Sequence, residues 1–356
     1  MPKIEILGTG LIDRHDSAFP TLIRLDNGDL LAGFSVGGGP NATGGTDCAR
    51  STDNGDSWTW QSTILPPGKD PHTTNSLRLS RTRHGAVIAY GGQCYPEAAV
   101  KKFGHEVKRE PVFCVSADGG LSWSPPRVIP AGVAGPFEVS NPVVVLVDGR
   151  WLAPAATLCD AKKLGERVVV FVSDDEGKTW PETITVMKDP NGINGYFEQK
   201  VTELEPGTLM AAAWTVRMGD YVDQEDHFAL SFDGGHHWGH PKPTGIRGQT
   251  MTPVWLGGDR LLVVYNRRYG QQGVQMCLVR FNEDRWNVEF EGTLWDAAAS
   301  RQRDPSVASG IDEFDSFQFG LPSALRLDEN TLLAVHWCKE GGIFGIRWTR
   351  IRVHWS

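Results

Sequence analysis

The sequence has no apolar run approaching the roughly 18 residues that a membrane-spanning helix needs. It opens MPKIEILGTG, without the apolar stretch or small-residue cleavage site of a secretory leader. Its six cysteines show no CxxC spacing, and no acidic stretch has the spacing of an EF-hand loop. Basic residues are outnumbered 35 to 43, for a net charge of -8. That balance argues against nucleic acid and anionic membrane surfaces, both of which call for a basic patch. No segment has a helical apolar period. We therefore expect no cofactor, no essential metal, no nucleic-acid partner and no membrane insertion. Cys48, Cys114 and Cys277 lie in apolar strand-like runs and read as buried thiols, which points to the cytoplasm. Secretion stays open had a leader been removed.

What the chain does have is glycine (41), proline (22) and tryptophan (13), residues that punctuate short strands and fill a tapering β core. One pattern, Ser-x-Asp-x-Gly-x-x-Trp, occurs four times: Ser51-Asp53-Gly55-Trp58, Ser116-Asp118-Gly120-Trp123, Ser173-Asp175-Gly177-Trp180 and Ser231-Asp233-Gly235-Trp238. The serines are 65, 57 and 58 residues apart. A fixed motif at a near-fixed period marks a repeat architecture. The motif suits a hairpin: Asp bonds the backbone of its own turn, Gly supplies positive φ, and Trp packs back on the sheet.

Ahead of each motif stands an apolar strand, a tight turn and a second apolar strand. The instances are 19–34, 76–90, 141–154, 198–214, 253–265 and 322–337, six in all. The fifth unit carries a degraded turn, Asn282 to Trp286, and the sixth has none. The sixth unit runs out at its third strand, Ile343 to Trp355, while Lys3 to Ile12 forms an orphan strand ahead of unit one. Pairing the two closes a ring and removes exposed sheet edges. The expected fold is all-β: a six-bladed β-propeller in a single domain over residues 1–356.

The repeated motif resembles the Asp box of the BNR-repeat sialidases and their relatives, and the resemblance covers nearly the whole chain. It implies that the boxes lie on the outer rim, where Asp53, Asp118, Asp175 and Asp233 make turns. It also implies a functional site at one mouth of the central channel. A sialidase of this family clamps a carboxylate with three arginines and uses a Tyr nucleophile, a Glu that activates it and an Asp acid/base. Ala18 stands where the first arginine belongs, and Trp214 where the second does. The loop from Gly38 to Thr46 has no carboxylate, and Phe319-Gly320-Leu321-Pro322 has no Tyr. Glu198 fits the position of the catalytic Glu, and Arg267 or Arg268 the third arginine. The resemblance therefore points to a divergent member that is not an ordinary sialidase.

The residues leading into the inner strands supply the candidates. Blade one offers Arg14, His15 and Asp16; blade two His72, Asn75 and Arg78; blade three Glu138 and Asn141; blade four Glu198 and Gln199. Blade five offers Gln249 and Thr250, and blade six Asp312, Glu313, Asp315 and Gln318. Strand ends add Tyr90, Trp214, Tyr265, Arg267, Arg268, His336 and Lys339. Amides and carboxylates take sugar hydroxyls, and aromatic faces stack on C–H groups. Glycoside cleavage needs two carboxyls flanking the bond. We expect catalysis from Glu198, Asp16, His15 and Glu138. Substrate binding is expected from Arg14, Asn75, Asn141, Gln199, Trp214, Gln249, Arg267, Arg268, Asp315, Gln318 and His336. The plainer alternatives are a salt-bridged strand-start carboxylate for Glu198, a blade-junction bond for Glu138 and a solvated acidic loop for 309–316. The acidic stretch 220–227 (DYVDQEDH) is expected to be a solvated loop, with a lid as the alternative. The expected function is exo-acting glycoside hydrolysis of a non-sialic sugar, neutral or uronic. A non-catalytic, lectin-like propeller and a polysaccharide lyase acting on a uronate glycan stay open.

Overall fold

A computed structural model describes residues 2–96, 108–158, 163–297 and 317–355. Six antiparallel sheets form the blades of a β-propeller. Blade one contains Ala18–Arg24, Leu30–Ser35, Thr46–Ser51 and Thr59–Leu65. Blade two contains His72–Arg81, Val87–Cys94, Arg109–Ser116 and the short Arg127–Val128. In blade three the innermost strand is broken into Phe137–Glu138 and Val144–Val145, both paired with Trp151–Thr157. Arg167–Ser173 and Glu182–Lys188 complete it. Blades four and five begin with Asn194–Glu205 and Gln249–Gly257, and blade six with Phe319–Arg326.

The apolar runs are buried on both faces, and alternation decides which neighbour each residue meets. In blade one Leu30, Ala32 and Phe34 pack toward blade six, while Leu31 packs toward blade two. In blade four Leu209, Ala211 and Ala213 face blade three, and Met210 and Ala212 face blade five. Among the described residues the core is six hydrophobic clusters, one at each junction between blades. A strand covered on both sides reads as a continuous apolar run rather than an alternating one.

The ring closes as expected. Lys3–Asp13 pairs antiparallel with Ile343–His354, from Lys3 opposite His354 to Asp13 opposite Ile346. It is the outermost strand of blade six.

Each Asp box is a bonded turn. Ser116 Oγ donates to Asp118 Oδ1 (2.7 Å) and accepts from the Gly120 N–H (2.8 Å). The same carboxylate oxygen takes the Ser122 N–H at 2.9 Å. Gly55, Gly120, Gly177 and Gly235 all have positive φ, between 75° and 96°. These donors hold the carboxyls of Asp53 and Asp118 well below the usual range. Box backbones also receive arginines from adjoining blades: Arg50 Nη2 donates to the Gly119 carbonyl (2.6 Å) and Arg350 Nη2 to that of Asn54 (2.8 Å). In the degraded turn of blade five Asn282 Oδ1 takes the N–H groups of Asp284 and Arg285, both at 2.9 Å.

Asp118→Ala should cost roughly 1–2 kcal/mol of unfolding free energy in urea titrations, the worth of one or two turn hydrogen bonds. An unchanged midpoint would mean that the box does not stabilise the blade.

Candidate active site

The site begins with a backbone device repeated around the axis. The innermost strands of blades one, four, five and six are each interrupted by a bulge close to their start. At each, a residue other than glycine has positive φ: Phe19 (58°), Glu198 (50°), Thr250 (48°) and Leu321 (39°). Such a conformation costs about 1–2 kcal/mol, and a bulge re-aims the side chain it carries. All four residues line one small pocket at the axis, with Trp214, Arg268, Phe317 and Trp337. Phe19, Glu198 and Trp214 also line an adjoining cavity of about 370 Å³, within the usual range for small-ligand sites.

The larger cavity contains a pair of acids. Glu138 comes from the two-residue strand of blade three and Glu198 from the bulge of blade four. The Glu198 N–H donates to Glu138 Oε2 at 3.0 Å, and Ser140 Oγ donates to Glu138 Oε1. Glu198 is 8% exposed, and its Oε2 has no hydrogen-bond partner. Burial, then the charge of Glu138, pushes the Glu198 carboxyl up to about 8, against the pull of Arg268, Lys200 and Arg78. Burial also raises Glu138, opposed by the Glu198 N–H and by Arg109 and Arg78. The two environments differ in donors: Glu138 has two and Glu198 lacks them at its buried oxygen. Within the pair the donors favour charge on Glu138 and the proton on Glu198.

Bases surround the pair. Arg78, 2% exposed, lies 5.0 Å from the Phe19 ring centre and donates to Ser76 Oγ at 2.7 Å. Burial lowers it only to about 10, so it stays charged. Burial and the charge of Arg78 push the Lys200 amine down to about 7.

Two amides hold the bulge. Asn141 Nδ2 donates to the carbonyls of Glu198 (2.8 Å) and Gln199 (2.6 Å). Gln199 Nε2 reaches back into blade three, to the carbonyls of Ala155 (3.2 Å) and Val169 (2.5 Å). Both were expected to bind substrate. Their donors are instead bonded to backbone, and neither lines the cavity.

The other expected residues divide. Asn75 and Trp214 line the larger cavity, and Arg268 the smaller. Asn75 ties blade two to blade one, accepting from Thr46 Oγ1 (2.7 Å) and donating to the Leu65 carbonyl (3.2 Å). Gln249 bonds to Arg268 on one side and to Asp223 (2.6 Å) on the other. Arg14, His15 and Asp16 turn the corner between the closing strand and blade one, outside the lining. Arg14 bonds the Glu340 carbonyl (3.3 Å), His15 bonds Asp13 (2.7 Å), and Asp16 accepts the Phe344 N–H (3.3 Å). The hydrogen bond to Asp13 raises His15, which is 85% exposed. Arg267 pairs with Glu291 at 2.6 Å. His336 is fully buried against Trp295, 5.3 Å between ring centres, and burial lowers it to about 3. Gln318 is half-buried, its carbonyl bonded to the Lys339 N–H at 2.8 Å. Asp312, Glu313 and Asp315 lie outside the described residues.

Three residues were missed. Arg109, at the start of a third strand, lines the larger cavity, and so does Ser140. Asp223 is 2% exposed and accepts from Trp214 Nε1 at 2.7 Å and from Gln249. Burial raises it to about 7. Asp226 is fully buried as well. The stretch 220–227 is thus partly folded into the wall behind Trp214, where a solvated loop was expected.

These features define an Asp-box propeller with a carboxyl pair in an axial cavity, Glu198 buried and Glu138 half-buried. The chain belongs to the BNR repeat-like domain family, which its residues 97–303 match. No curated protein matches it. Among solved structures it is similar to a protein of unknown function from Dyadobacter fermentans DSM 18053, at 20% identity and TM-score 0.76 over 99% of both chains. It is also similar to the α-L-arabinanase of Penicillium chrysogenum, solved with arabinobiose, at 16% identity and TM-score 0.69 over 98% of both. The NanB sialidase of Streptococcus pneumoniae matches at 12% identity and TM-score 0.66, over 97% of this chain and 70% of that one. Likeness at these identities is likeness of fold.

Between pH 4.5 and about 8 the folded protein keeps a proton on Glu198 that the unfolded chain releases. Stability contributed by this group therefore falls as pH rises through that window. Glu198→Gln should gain on the wild type by up to about 1.4 kcal/mol per pH unit there. Urea unfolding across the window reads the difference; a constant offset would mean that Glu198 titrates as an ordinary glutamate.

Proposed function

We propose that this protein is a glycoside hydrolase acting in exo fashion on a non-sialic sugar at the propeller axis. The observation that carries the reading is the Glu138–Glu198 pair: two carboxyls in one cavity, Glu198 buried and Glu138 half-buried, with unequal donors. A lectin has no use for a protonated buried acid, whose burial costs stability. Glu198 gives its proton to the glycosidic oxygen as the C–O bond breaks. Glu138 supplies the electron pair opposite, directly to the anomeric carbon or through a water molecule. Trp214 and Phe197, 5.7 Å apart between ring centres, offer apolar surface to a sugar face.

The similarity to an arabinanase and a sialidase supports sugar chemistry on this fold. Sialic acid itself is disfavoured because Ala18 and Trp214 occupy two of the arginine positions.

A panel of aryl glycosides, including arabinofuranosides, uronides and sialosides, tests the proposal. A non-sialic sugar should be released, and Glu198→Gln and Glu138→Gln should each lower kcat by about 100- to 10,000-fold. Activity should decline above about pH 8, as Glu198 loses its proton. Release of sialic acid would overturn the substrate assignment. Glycan binding without turnover would favour the lectin, and an unsaturated uronate product the lyase.

A further inference from the structure

The larger cavity carries more positive charge than its acids neutralise. Arg78 comes from the first strand of blade two and Arg109 from the third, and both line the cavity. The Arg78 guanidinium bonds only neutral oxygens, Ser76 Oγ and the Leu77 carbonyl (3.3 Å). The Nε atoms of Arg78 and Arg109 are both buried without a partner. Neither residue is in an ion pair among the described residues. Against these two arginines stand Glu138 and Glu198, and burial favours the protonated form of Glu198.

We propose that Arg78 and Arg109 form a carboxylate subsite, so that the sugar bound at the axis is a uronate. A guanidinium is matched by a planar anion with two acceptor oxygens. Hydroxyls of a neutral sugar would leave buried charge uncompensated. Glu138 is not that partner in full: its oxygens already take the Glu198 N–H and Ser140. The subsite lies in blade two, whereas the sialidase resemblance looks for arginines in blades one, four and five. Phe19, under Arg78, gives the adjoining ring an apolar floor. The substrate assignment rests on the hydrolase reading; the subsite does not.

The test measures binding rather than turnover. Methyl glycosides of glucuronic, galacturonic and iduronic acid are titrated calorimetrically beside their neutral counterparts and a methyl sialoside. The protein should bind one uronide about 10- to 100-fold tighter than the matching neutral sugar. Glu198→Gln should keep that preference, Arg109→Ala should abolish it, and Arg109→Lys should restore part of it. Arg109 is the better probe because Arg78 is buried enough for its loss to disturb the blade; circular dichroism checks each variant. Equal binding of acidic and neutral sugars, no binding at all, or a preference that survives Arg109→Ala would overturn the subsite. Tighter binding of the sialoside would overturn the uronate. If the uronide binds with the expected preference but its aryl glycoside is never cleaved, the subsite stands and the hydrolase reading falls.

Discussion

The axial site depends on a peptide bent into the left-handed region at Glu198. That conformation is unfavourable for a residue with a Cβ, so the surroundings must hold it. Asn141 binds the carbonyls of Glu198 and Gln199, the Gln199 side chain anchors the next residue in blade three, and Glu138 takes the Glu198 N–H. The last contact makes the bend and the carboxyl pair a single structure. Straightening the backbone would withdraw both the Glu198 carboxyl and a donor that favours the ionised form of Glu138. Strain held by surrounding contacts of this kind is common at functional sites. Here Phe19, Thr250 and Leu321 extend it to three further blades.

Fold and site draw on different parts of each blade. The Asp boxes are self-contained: a serine, an aspartate and a glycine close the turn, and arginines such as Arg50 and Arg350 join it to the next blade. The axis is assembled instead from strand starts that lie far apart in the chain. This division lets four intact boxes stand beside a mouth whose residues follow no repeat.

The rim was legible in the sequence, because a bonded turn needs fixed residue types at fixed spacing. The ring closure was legible too, since an orphan strand and an incomplete sixth unit have one economical solution. Glu138 and Glu198 were reachable as carboxylates at inner strand starts. Arg109 was not, because it opens a third strand and only the third dimension brings it to the axis. Asp223 and Asp226 looked solvated because an acidic, polar stretch carries no sign of burial. His336 was placed at the mouth from its position near a strand end, but it lies fully buried beside Trp295, one residue from Trp337, which lines the smaller pocket. Asn141 and Gln199 were in the right region. An amide that binds backbone and one that binds sugar look the same in one dimension.

Blade six is built from the first and the last strands of the propeller, and that orders events during synthesis. Lys3–Asp13 is made before every other strand of the propeller, yet its partner Ile343–His354 is the last of those strands to be made. Blades one to five can collapse on their neighbours as they emerge. Until the end, however, an edge of blade one stays open where Leu30 and Phe34 await blade six. The smaller axial pocket needs Phe19 from blade one together with Leu321 and Trp337 from blade six. It is therefore among the last parts of the propeller to form, and the apolar seam beside it stays uncovered until the strands of blade six are made.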